Sequence, residues 1–67
     1  MLLVINGVKT DVTCTKTLDD VLLYLGYGKD PFVSVALNQT CIPRHHLPTT
    51  YVQEGDDVEI LAPTQGG

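Results

Sequence analysis

Apolar and polar positions alternate from the first residues of the chain. Leu2 to Ile5 form a short apolar run, Asn6-Gly7 follows, and Val8, Thr10, Val12 and Cys14 then alternate with Lys9, Asp11 and Thr13. Asn-Gly between two such runs predicts a β-hairpin, because both residues accept the positive φ that a tight turn demands. If Ile5 faces Val8, then Leu3 and Val12 point to the core, and Leu2 and Val4 lie on the opposite face beside Lys9 and Asp11. The period then changes. Leu18, Val21, Leu22 and Leu25 recur at the spacing of one helical stripe, and Thr17 followed by Asp20 has the form of a capping box. The spacing predicts an amphipathic helix of about two and a half turns. Gly26 or Gly28 ends it, with Tyr24 and Tyr27 covering the helix end.

Phe32, Val33, Val35, Ala36 and Leu37 predict a third strand, with Pro31 at its start, where no ladder donor is needed. It runs into the polar turn Asn38-Gln39-Thr40. The segment from Cys41 to Tyr51 contains Pro43 and Pro48 and reads as a short strand followed by irregular surface chain. Gly55-Asp56 turns the chain into a last strand, with Val58, Ile60 and Ala62 on one side and Glu59 and Leu61 on the other. The element order is β-β-α-β-(β)-β. A helix crossing between a first hairpin and later strands covers one side of a mixed sheet, so an α+β domain is expected over residues 1–62. Residues 63–67 form a tail.

A chain of 67 residues makes one domain. At this size about 60% of the unfolded surface is buried, which leaves no room for a deep enzyme cleft. With 43% hydrophobic and 18% charged residues the chain is of the globular type. No stretch approaches the ~20 apolar residues that span a membrane, and Met1-Leu2-Leu3-Val4-Ile5 lacks the basic region and cleavage site of a signal peptide. A cytoplasmic location is expected. The formal charge is −4, and Glu54, Asp56, Asp57 and Glu59 crowd together. This argues against nucleic acid, whose binders carry basic patches, and suits a protein partner with a basic docking surface. Cys14 and Cys41 have neither metal-ligand nor Cys-x-x-Cys spacing, so each is expected to be a small buried or half-buried thiol. His45 and His46 have no third ligand nearby in sequence and read as polar loop residues. Arg44 is either a solvated arginine or a partner for a phosphate or carboxylate.

The chain stops on Gly66-Gly67, a short spacer after the last strand. Glycine lacks Cβ, so its backbone approaches a partner closely and passes through a channel that a side chain would block. Extended at roughly 3.3 Å per residue, the last five residues reach on the order of 15 Å beyond the fold. That length enters another protein's active site. The tail therefore reads as a handle whose reactive group is the α-carboxylate of Gly67.

Four segments together, Ala36-Leu37-Asn38-Gln39, Ile42-Pro43-Arg44, Gly55-Asp56-Asp57-Val58-Glu59-Ile60 and Pro63-Thr64-Gln65-Gly66-Gly67, resemble the ThiS sulfur-carrier family. The resemblance covers essentially the whole chain. Thr40-Cys41 and His45-His46-Leu47-Pro48 depart from the family pattern. The resemblance implies a ubiquitin-like β-grasp with a flexible C-terminal tail. It also implies a chemistry in which a ThiF-like enzyme uses ATP to adenylate Gly67. A sulfur donor such as a cysteine desulfurase then replaces AMP, and the thiocarboxylate passes its sulfur to a ThiG-like thiazole synthase, for the thiazole of thiamin. On this expectation the chain is a protein cosubstrate rather than an enzyme, with no cofactor of its own. Docking is expected on the sheet face opposite the helix, through Leu2, Val4 and Leu61 near the root of the tail and through Gln65 within it. Three rival readings share the fold: the MoaD-like small subunit of molybdopterin synthase, a modifier joined by isopeptide bonds through Gly67, and a non-reactive binding module.

Overall fold

Asn6 and Gly7 adopt φ of 50° and 83°, the positive pair that a type I′ turn requires. Strands β1 (Leu2–Ile5) and β2 (Val8–Asp11) therefore close as an antiparallel hairpin with Ile5 opposite Val8. The computed structural model describes residues 1–63 of the chain. Leu3 and Val12 are fully buried, as the alternation predicts, whereas Val8 stands at the open end of the sheet and is exposed.

Helix α1 (Leu18–Tyr24) starts where the capping box places it. Thr17 Oγ1 accepts from the Asp20 N–H at 3.3 Å, and Asp20 Oδ2 accepts from the N–H groups of Lys16 at 2.9 Å and Thr17 at 3.1 Å. Those donors favour the ionised carboxylate, the bond from Lys16 most and that from Thr17 next, and hold the Asp20 carboxyl below its ordinary range. A group with a depressed folded-state pKa adds stability above its unfolded value, and that stability is lost as pH falls through the folded one. Thr17→Ala is thus expected to lower stability by about 1 kcal/mol in urea unfolding at neutral pH. The stability gap between wild type and Asp20→Ala should narrow as pH falls below 3.8, the carboxyl's ordinary value.

The helix ends at Gly26, where φ is 94°. The Gly26 N–H donates to Leu23 O and the Tyr27 N–H to Leu22 O, the paired bonds of a Schellman motif. Tyr27 packs on the core, while Tyr24 stays half exposed, so covering the helix end falls to Tyr27.

Strands β3 (Ser34–Leu37), β4 (Thr40–Ile42) and β5 (Asp57–Leu61) complete a five-stranded sheet in the order β2-β1-β5-β3-β4. The central pair β1–β5 is parallel and the others are antiparallel. Leu18, Val21 and Leu22 of the helix join Leu3, Ile5, Val35, Val58 and Ile60 of the sheet in one buried cluster. A mixed sheet with one helix across one face, and parallel first and last strands at its centre, is the ubiquitin-like β-grasp. No helix among the described residues is long and apolar enough to cross a membrane.

Three expectations need correction. The third strand begins at Ser34, because Asp30 to Val33 form a tight turn with Pro31 in its second position. The segment after β4 is more ordered than its prolines suggest: Arg44–Thr49 form a 3-10 helix that buries Leu47 in the core. The hydroxyls of Thr49 and Thr50 both donate to His46 O and tighten this helix. Cys14 and Cys41 are both exposed, not buried. β2 stops at Asp11 and Cys14 turns the chain with φ of 57°, which breaks the alternation. Cys41 lies on the edge strand opposite Ala36, on the face away from the helix.

Candidate functional site at the root of the tail

The last turn of backbone before the tail is held from both sides. On the β1 side the Asn6 N–H donates to Val58 O at 2.9 Å, and the Asn6 carboxamide then carries the ladder one step further. Its Oδ1 accepts from the Ile60 N–H at 2.7 Å and its Nδ2 donates to Ile60 O at 3.2 Å. On the β3 side Leu61 pairs with Ser34. Pro63 has no N–H and cannot prolong the ladder, so the strand is released here. A turn residue thereby sets where the tail leaves the sheet.

Beside this exit lies an apolar surface. Leu61 is 72% exposed and Phe32 66% exposed, and together with Ser34, Ala62 and Pro63 they line a shallow depression. Phe32 sits there because Asp30 shapes the turn that carries it. Asp30 Oδ1 accepts from the Phe32 N–H at 2.9 Å, and Asp30 O accepts from the Val33 N–H at 3.4 Å. Arg44 closes the same turn from outside, its Nη2 donating to Asp30 O and to Val33 O at 3.2 Å each. Of the two sequence readings of Arg44, solvated or paired with an anion, neither describes this contact. Its guanidinium is bound to neutral carbonyls of its own chain.

Leu2, Val4 and Leu61 share the face opposite the helix, as strand alternation implies, but not the same end of it. Val4 pairs with Asp57, four residues before Leu61, which separates them by about 13 Å along the strand. Leu2 is farther still, where its carbonyl accepts from the Gly55 N–H. The expectation that all three lie near the root of the tail is corrected accordingly: Leu61 does, and Phe32 and Ser34 take the places assigned to Leu2 and Val4. A hairpin read from sequence shows which face a residue occupies. It does not show the direction of the strand that will pair with it.

The acidic run is likewise divided. Glu54 accepts from the Leu2 N–H, and Asp56 accepts from the Gln53 N–H and the Asn38 side chain, so both serve turns at the far end of the sheet. Glu59 is exposed on the outer face, two residues from Leu61. His45 and His46 stack edge to face at 4.3 Å in the 3-10 helix, and among the described residues no group of three or more His, Cys, Asp or Glu could hold a metal ion. Gln65, Gly66 and Gly67, expected to carry docking and reactivity, lie outside the described residues.

The ThiS family model matches residues 3–67. The crystal structure of the thiamine biosynthesis protein ThiS from Geobacter metallireducens is 30% identical in sequence, is covered over 100% of both chains and has a TM-score of 0.82. The solution structure of a thiamine biosynthesis protein from the same organism is also 30% identical, covers 100% of this chain and 88% of its own, and has a TM-score of 0.81. None of the curated proteins compared by sequence matches the chain. A family match that leaves out only two residues, on a fold shared with ThiS along its full length, means that this chain belongs to the ThiS family.

Proposed function

We propose that the chain is a sulfur carrier of thiamin biosynthesis, with the α-carboxylate of Gly67 as the atom-bearing group. The observation that carries this reading is the ThiS family match, which runs through Gly66 and Gly67. A carboxylate resists nucleophiles because its charge is delocalised and its oxygen leaves badly. Attack of that oxygen on the α-phosphorus of ATP expels pyrophosphate and gives a mixed anhydride with AMP. The terminal sulfur of the donor's persulfide then adds to the activated carbonyl and AMP leaves; a thiol attacks the sulfur on the donor side of the resulting acyl disulfide, forms a new disulfide with it, and leaves Gly67 as the thiocarboxylate. The ThiF-like partner supplies the ATP site, a cysteine desulfurase or similar donor supplies the sulfur, and a ThiG-like thiazole synthase receives it. The carrier contributes the substrate atom and a surface for docking, as a cytoplasmic protein cosubstrate.

That surface is the face opposite the helix. Leu61 and Phe32 form its apolar centre beside the tail, and Leu2 and Val4 form a second apolar strip at the far end. Small domains seldom leave such residues together on one face without a partner to cover them. Gln65 extends the contact into the partner's channel.

The test is the intact mass of the protein incubated with its ThiF-like enzyme, ATP, a sulfur donor and a thiol reductant. An increase equal to the difference between sulfur and oxygen is expected, and an unchanged mass counts against the carrier reading. The thiocarboxylate form is expected to support thiazole formation with thiazole synthase and not to convert the molybdopterin precursor with the large subunit of molybdopterin synthase. Turnover in the second assay and none in the first would reassign the chain to the MoaD-like carriers. Higher-mass conjugates in extracts would reassign it to the protein modifiers.

A further inference from the structure

We infer that Arg44 is a positioning residue for the docking surface, acting through Phe32. This rests on the carrier reading above. One nitrogen of the guanidinium, Nη2, donates to both Asp30 O and Val33 O, the first and last carbonyls of the turn that presents Phe32. The turn needs that help. Its own closing bond, from the Val33 N–H to Asp30 O, is long at 3.4 Å, and Pro31 removes one donor from the segment. β4 ends at Ile42, so on that side no strand N–H donates to the Val33 carbonyl. The β3–β4 register, continued past Ile42, puts Pro43 opposite Ser34 and Arg44 opposite Val33, and Arg44 serves that carbonyl from its side chain at the start of the 3-10 helix.

The consequence reaches the tail because Phe32, not Arg44, lines the depression with Leu61, Ala62 and Pro63. Loss of the clamp frees the turn and lets Phe32 leave Leu61. An exposed aromatic that must be ordered on binding costs affinity, whereas one held in place before binding does not.

The experiment measures carrier-dependent release of pyrophosphate from ATP by the ThiF-like enzyme with wild type, Arg44→Met, Phe32→Ala and the double variant. Methionine keeps the apolar stem and removes the donors. Each single variant is expected to raise the KM for the carrier about 10-fold with kcat near the wild-type value, and the double variant is expected to add little, since both remove one interaction. The amides of Phe32 and Val33 should exchange with solvent at least about 10-fold faster in Arg44→Met, since the turn opens locally. A purely structural arginine would lower the thermal midpoint and leave KM unchanged, and an arginine that touches the partner by itself would raise KM and add to the effect of Phe32→Ala. Any of those kinetic results overturns the proposal. If wild type itself is not adenylated, the carrier reading fails, and unchanged amide exchange in Arg44→Met would then overturn the clamp as well.

Discussion

Appending one alanine after Gly67, or deleting Gly67, is expected to abolish adenylation by the ThiF-like enzyme while leaving thermal unfolding nearly unchanged. The two readouts separate because they depend on different parts of the chain. Among the described residues every buried hydrophobic one lies between Leu3 and Ile60, so the change falls outside this core. Substitutions away from such contacts usually stay within about 0.5 kcal/mol. At the reaction centre the tolerance is far smaller, since a misplacement of about 1 Å costs on the order of 100-fold in rate. An added residue moves the carboxylate by roughly 3.3 Å and puts a Cβ where the channel admits none. Pyrophosphate release with the extended protein at the wild-type rate would end the handle hypothesis.

A tail proposed as a handle needs a fixed base, and the fold provides one at the end of β5. Residues from three separate segments converge on the last strand: Asn6 from the first turn, Ser34 from β3 and Phe32 from the turn before it. None is adjacent to the tail in sequence. The parallel β1–β5 pairing brings the first turn to the exit end of β5 and sends the acidic turn, with Glu54 and Asp56, to the other end. The acidic turn and Pro63, where the chain leaves the sheet, are thus at opposite ends of it, with Glu59 between them.

Much of this fold was legible because local rules and tertiary packing agree. The alternation around Asn6-Gly7, the capping box at Thr17 and Asp20 and the exposed position of Leu61 are all read from spacing alone. What escaped depends on contacts between distant segments. Leu47 is flanked by His46 and Pro48 and carries no periodic signal, yet it is buried because the 3-10 helix folds back on α1. Phe32 resembles the first apolar residue of a strand, but Asp30 and Pro31 make a turn of its segment instead. One clue was available: Asp-Pro before an apolar pair is a turn signal, and it competed with the strand pattern. The clamp by Arg44 had no such clue, since nothing in the sequence says which carbonyls an arginine will meet.

Replacing Leu61 by Asp is expected to raise the KM for the carrier in adenylation by roughly 30-fold or more, the scale of losing a central contact worth about 2 kcal/mol. Folding should survive, because the side chain is 72% exposed and β5 keeps neighbours on both sides. Leu23→Asp is the matched control, the same change at a site 69% exposed on the helix. It should leave KM unchanged. One effect opposes the prediction: a basic partner gains from an added acid near Glu59. That gain is limited to about 1 kcal/mol for a solvated pair and falls with salt, so loss of the dry contact prevails. Leu2→Asp then resolves the extent of the interface. If docking centres on the root of the tail, Leu2, which lies beyond Val4 at the far end of the parallel pair, should show a smaller effect than Leu61. Equal effects would mean that the partner covers the whole face, and a wild-type KM for Leu61→Asp would mean that it docks elsewhere.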